Sequence, residues 1–136
     1  VSFSKLACRL LEHAGYDPAN LKGERGGAFQ AEYTGLLHTL GYIGARKVDQ
    51  YGDFRLTDIR SFERETWGAY WDIQRKFGRL ETQMEQARGS RQFFVDSSGL
   101  TGAVGDMQET LSDMAVYCVR MIQVLQRLEE KGMEPK

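Results

Sequence analysis

Apolar residues recur every three to four positions over most of this chain, the period of a helix buried along one face. Between Glu65 and Ala87 the positions Trp67, Tyr70, Ile73, Phe77, Leu80, Met84 and Ala87 keep that spacing, with Asp72, Lys76, Arg79 and Gln83 on the opposite side. The run from Ala103 to Lys131 carries Val104, Met107, Leu111, Met114, Cys118, Met121 or Ile122, Leu125 and Leu128. That seam is of the kind that packs in bundles and coiled coils. An earlier helix is expected over Ala28 to Val48, its buried side marked by Phe29, Tyr33, Leu36, Leu37, Leu40, Ile43 and Gly44. Ser4 to Ala14 predicts a short amphipathic helix closed by Gly15, and Leu56 to Phe62 a helical stretch leading into the third helix.

Between these elements lie turn signals. Asp17-Pro18 predicts a turn, Lys22 to Gly27 a flexible linker, and Gly52 a residue free to take positive φ where the second helix ends. Gly35, Gly41 and Gly44 each cost about 0.5–1 kcal/mol relative to alanine inside a helix, so they either admit a close neighbour or break it. Gly89 to Gly102 is expected as a loop whose Phe93, Phe94 and Val95 return to the core, with Thr101 capping the last helix and Gly132 to Lys136 frayed. The expected architecture is a single all-α domain over 1–136. It comprises an N-terminal helix and linker over 1–27 and a core bundle over 28–131, with about four main helices in all.

Composition narrows the function. A formal charge of −1 on 136 residues provides no global pull toward nucleic acid or anionic membrane. A basic cluster, Arg55, Arg60, Arg64, Arg75, Lys76 and Arg79, is interleaved with acids, so a nucleic-acid partner is disfavoured. No apolar run reaches 18 residues and no signal peptide is evident, so the expectation is a cytoplasmic protein without membrane contact. Cys8 and Cys118 lack zinc-type spacing and sit in apolar helical patterns, which predicts buried, reduced thiols. His13 and His38 have no third ligand at zinc spacing.

The chemistry-bearing residues fall in three places. Glu109 and Asp113 sit four apart on the last helix, on one face, and Asp106 extends the stripe. Two like charges so placed cost roughly 0.2–0.5 kcal/mol on an exposed helix unless a cation joins them. Mg2+ is such a cation, because it is commonly held by one or two carboxylates together with substrate phosphates. Lys76 and Arg79, one turn apart on the third helix, offer phosphate-binding cations, or a solvated face in which Lys76 pairs with Asp72. Lys47-Val48-Asp49-Gln50-Tyr51-Gly52-Asp53 ends the second helix with an aromatic among charges, which is either a pocket wall or a plain helix stop.

Taken in order, Lys47 to Asp53, then Lys76-Phe77-Gly78-Arg79-Leu80, then Glu109-Thr110-Leu111-Ser112-Asp113-Met114-Ala115-Val116-Tyr117 resemble the small nucleotide-modification-associated domains common in phage genomes. These are related to the all-α nucleoside triphosphate pyrophosphohydrolases of the MazG and dUTPase type. The resemblance covers roughly Ala28 to Leu128. It implies that Glu109 and Asp113 bind Mg2+, with Asp106 or Glu32 as further ligand or general base. It also implies that Lys76 and Arg79 hold phosphates, and that Lys47, Asp49, Tyr51, Asp53 and Tyr117 line the nucleotide pocket. There are two departures from the pyrophosphohydrolase pattern. Their early Glu-x-x-Glu pair is matched here only by Glu32, and the second Glu of their Glu-Glu-Leu-x-Asp helix is Thr110.

Two functions therefore stand side by side. One is Mg2+-dependent hydrolysis of a nucleoside triphosphate to monophosphate and pyrophosphate. The other is a non-catalytic nucleotide-binding or structural helical dimer of phage or mobile-element origin. The apolar seams and outward aromatics such as Trp71 suit a homo-oligomer under either.

Overall fold

A computed structural model of the chain describes residues 5–15, 23–88 and 103–131. Among them the protein is all-α, a helical bundle with no strand. Its helices are α1 (Lys5–His13), α2 (Glu24–Tyr51), α3 (Ile59–Ala87) and α4 (Ala103–Glu130). The expected Asp17-Pro18 turn, the returning Phe93, Phe94 and Val95, the Thr101 cap and the C-terminal tail lie outside the described residues. No described helix is long and apolar enough to cross a membrane.

The chain divides into two compact units, Val1–Thr39 and Leu40–Lys136. The first holds α1 and the beginning of α2. There the linker expected up to Gly27 is helical from Glu24, and the side marked as buried is exposed at Phe29, Tyr33, Leu36 and Leu37. Phe29 and Tyr33 stack on each other at 5.7 Å.

The second unit holds the end of α2, with α3 and α4. Gly52 closes α2 at φ +85°, as its place after Tyr51 predicts. α3 begins later than expected: residues 52–57 are non-helical and Ile59 is the first helical residue. The reason is a capping box. The Asp58 carboxylate accepts from the Ser61 amide at 2.9 Å, and the Ser61 hydroxyl accepts from the Asp58 amide at 3.1 Å. Lys76 on α3 meets Asp113 on α4, while Phe62 meets Lys131, so the two helices run antiparallel.

Their packed faces differ from the most apolar ones. On α3 the buried positions are Ser61, Phe62, Ala69 and Ala87, whereas Trp67, Tyr70, Phe77 and Met84 are exposed. On α4 the buried residues include Thr110, Val116 and Val124, whereas Leu111, Cys118, Ile122 and Leu125 face outward. Both cysteines are thus exposed, a correction to the expectation of buried thiols. α4 packs through a mixed face whose polar members find partners, leaving its apolar stripe free. Gly44 stands opposite Val116, whose methyl lies 4.0 Å from where a β-carbon would be, while among the described residues nothing approaches Gly35 or Gly41, and α2 runs unbroken through both.

The apolar centre is Phe62 with Leu56 and Val124, joined by Phe54 and Leu128. Phe62 is only 1% exposed. Phe62→Ala is expected to destabilise the protein by about 3–5 kcal/mol. Urea unfolding followed by circular dichroism should show this as a lower midpoint with an unchanged m-value.

Candidate functional site

Three helices converge on one carboxylate. Asp113 of α4 lies 2.9 Å from Lys76 Nζ of α3 and 3.8 Å from Lys47 Nζ of α2. Lys76 is largely covered, its side chain 13% exposed, so its charge is held where water screens it less. It sits seven residues after the buried Ala69, which turns it to nearly the same packed face. The pairing of Lys76 with Asp72 within α3 is not what forms: Asp72 takes Arg75, at 3.3 Å. That carboxylate, with a smaller contribution from Tyr117, raises the pKa of the Arg75 guanidinium. Lys47 also lies over the Tyr117 ring, 5.4 Å from its centroid.

Beside this cluster opens a cavity of about 230 Å3. Gly44, Lys47, Val48, Tyr51, Gly52 and Phe54 line one side, Glu65, Gly68, Ala69 and Asp72 of α3 another, and Val116, Tyr117 and Arg120 of α4 the third. Lys47, Tyr51 and Tyr117 therefore stand where a pocket role requires, although Tyr51 is mostly exposed. Asp49 is exposed and outside the lining.

Asp53 also lies outside the lining and serves a different purpose. Its two carboxylate oxygens accept from Arg120 at 2.7 Å and Arg127 at 3.1 Å. The Arg120 guanidinium lies 4.0 Å over the Phe54 ring, and Lys131 Nζ donates to the Leu56 carbonyl at 2.7 Å. Arg120, Arg127 and Lys131 thus fasten the segment between α2 and α3 onto α4.

Arg79 and Glu109 are exposed and outside the lining, as is Asp106. Glu32 lies on α2 in the first unit. Thr110 is buried, and its hydroxyl donates to the Asp106 carbonyl at 3.0 Å. An ionised glutamate at that position would need a buried partner, a physical reason for the departure from the pyrophosphohydrolase pattern.

Glu65, Phe54, Gly68 and Arg120 are lining residues that the sequence analysis did not single out. Arg120 carried a usable signal, because it follows Asp113 by seven residues and so shares its face. Phe54 carried none, since its position depends on cations that come from α4.

The donor chemistry suits an ion shared with a ligand. Glu109 and Asp113 are two carboxylates one turn apart, enough for Mg2+ when phosphates complete the shell. Among the described residues, no group of three or more His, Cys, Asp or Glu side chains is arranged to hold a metal. Asp113 is already charge-paired with Lys47 and Lys76, so a cation there competes with them unless anionic phosphates arrive to re-engage the lysines. Glu109 and Asp113 would hold Mg2+ only on that condition.

Comparison with known protein families, characterised proteins and solved structures finds no match to this chain.

Arg120 and then Arg127, with the Phe54 amide, hold the Asp53 carboxyl well below its ordinary value of 3.8. In the unfolded chain this group protonates near 3.8, and in the folded protein only at lower pH. Its contribution to stability is therefore complete above about pH 5 and is lost as pH falls through and below the ordinary carboxylate range. Asp53→Asn is expected to flatten the acid limb of a plot of urea midpoint against pH. An unchanged acid limb would show that the clamp does not titrate with folding.

Proposed function

We infer that the protein binds a nucleoside triphosphate with Mg2+ and hydrolyses it to the monophosphate and pyrophosphate, as a MazG-like pyrophosphohydrolase of the phage nucleotide-modification type. The observation that carries this reading is the convergence of Lys47 and Lys76, from two helices, on Asp113 beside an aromatic-lined cavity. The three stretches behind the resemblance each contribute one of those residues.

In this reading Lys47 and Lys76 turn from Asp113 to the phosphates, where a positioned ammonium stabilises charge that develops in the transition state. Arg79, exposed one turn beyond Lys76, meets the terminal phosphate. Glu109 and Asp113 hold Mg2+, which when bound supplies charge neutralisation and Lewis acidity. Water gives a proton to Asp106 as general base and adds to the α-phosphorus, the bond to the bridging oxygen breaks, and pyrophosphate leaves. Tyr51, Phe54 and Tyr117 provide apolar faces for the base.

A second reading, a nucleotide-binding module without turnover, is favoured by Thr110 and by the prior pairing of Asp113. Product analysis separates the two. Wild-type protein with Mg2+ is expected to release pyrophosphate, and Asp113→Asn to lose at least about tenfold in kcat/KM, over 1.4 kcal/mol. Calorimetric binding of Mg2+-nucleotide without pyrophosphate release would leave the module; retained turnover in Asp113→Asn would remove the metal-site assignment.

Self-association belongs to the same reading. α4 carries Leu111, Cys118 and Leu125 seven residues apart with Ile122 among them, an outward heptad stripe that suits a second copy of this helix. Trp67 and Trp71 lie on the side of α3 turned away from its packed face, so the dimer rests on the α4 stripe. Ile122→Glu is expected to shift sedimentation equilibrium toward monomer while the helical circular dichroism stays. A wild-type chain that sediments as a monomer would overturn the dimer.

A further inference from the structure

The cavity has two chemically different ends. On α3 the lining runs from Glu65 through Gly68, Ala69 and Asp72, and Lys76 follows one turn on. Glu65 and Lys76 are thus separated by about 16 Å of helix at 1.5 Å per residue. On antiparallel α4 the run is matched by Arg120 and Tyr117 leading to Asp113. The lysines and Asp113 therefore mark one end of the groove, and Glu65 with Arg120 the other.

We propose that the Glu65–Arg120 end reads the base of the bound nucleotide and selects guanine; this rests on the nucleotide-binding reading above. The cavity, about 230 Å3 and open to solvent along the groove, is smaller than the roughly 300 Å3 where pockets for drug-sized ligands begin. It holds one ring system, and the phosphates extend along the groove toward Lys76. Glu65 is a half-buried acceptor whose cation partner, Arg64 Nε, is 4.0 Å away, so its carboxylate keeps acceptor capacity. Asp72, by contrast, is engaged with Arg75. Arg120 is immobilised by Asp53, by Gln123 at 2.6 Å and by the Phe54 ring, yet it retains further N–H donors.

A carboxylate and a fixed guanidinium lining the same end of a groove match one base edge. Guanine offers adjacent N1–H and N2–H donors to the two carboxylate oxygens, and its O6 accepts from arginine. Adenine N1 and cytosine N3 would turn lone pairs toward Glu65. Thymine would flank its single N–H with two carbonyls.

The test is calorimetric titration of dGTP, dITP, dATP, dCTP and dTTP, each with Mg2+, into wild type and Glu65→Gln. Wild type is expected to favour dGTP over dATP, dCTP and dTTP by about 5- to 150-fold, the range of a good bidentate contact. dITP, which lacks the N2 amine, should fall between. Glu65→Gln should bring all five within a few-fold of one another, chiefly by weakening dGTP, while unchanged helical circular dichroism reports that the variant is folded. Nucleotides bound without base preference, or a preference that survives in Glu65→Gln, would overturn base reading and leave nucleotide binding standing. If no nucleotide binds the wild type, both readings fall together.

Discussion

The cavity depends on the register in which α3 and α4 run past each other. Phe62 against Val124 at one end and Lys76 against Asp113 at the other hold that register. The two contacts do different work. Phe62 and Val124 are almost completely removed from water, and burial on that scale contributes on the order of 1.5–3 kcal/mol per large side chain. The Lys76–Asp113 pair is partly solvated and belongs to a class that contributes about 0–1 kcal/mol. Its consequence is positional: a lysine of α3, a lysine of α2 and a carboxylate of α4 share one place.

Around that seam the fold accepts a second constraint. The turn from α2 to α3 leaves non-helical backbone at residues 52–57, which needs anchoring. α4 supplies it with cations spaced seven and four residues apart, Arg120, Arg127 and Lys131, which reach Asp53, the Phe54 ring and the Leu56 carbonyl. Arg120 belongs to both systems, since it fastens the turn and lines the cavity. A change at Asp53 would therefore reach the proposed base-reading end without touching the ligand.

The helices, their order and the glycine that ends α2 were legible in the chain because they depend on local signals: 3.6-residue periodicity and the φ freedom of Gly52. So was the shared face of Glu109 and Asp113. The direction of the faces was not legible. Hydropathy selects Leu111, Cys118, Ile122 and Leu125 as the inner stripe of α4, yet Thr110, Asp113, Val116, Arg120 and Val124 face the packed side. A polar residue is acceptable there once a partner from another helix satisfies it, and that partner is invisible along a single helix.

The candidate site divides in the same way. Helical spacing is set within a few residues, so the chain alone assigns Lys47, Tyr51 and Tyr117 to positions able to line a pocket. Whether Asp113 faces metal, solvent or lysine, and whether Asp53 lines the pocket or clamps the turn, depends on groups up to 74 residues away in the chain. Electrostatic partners at that separation meet only after the helices have packed. Tertiary structure therefore decided which charges of the site pair with one another, while the sequence determined the helices that carry them.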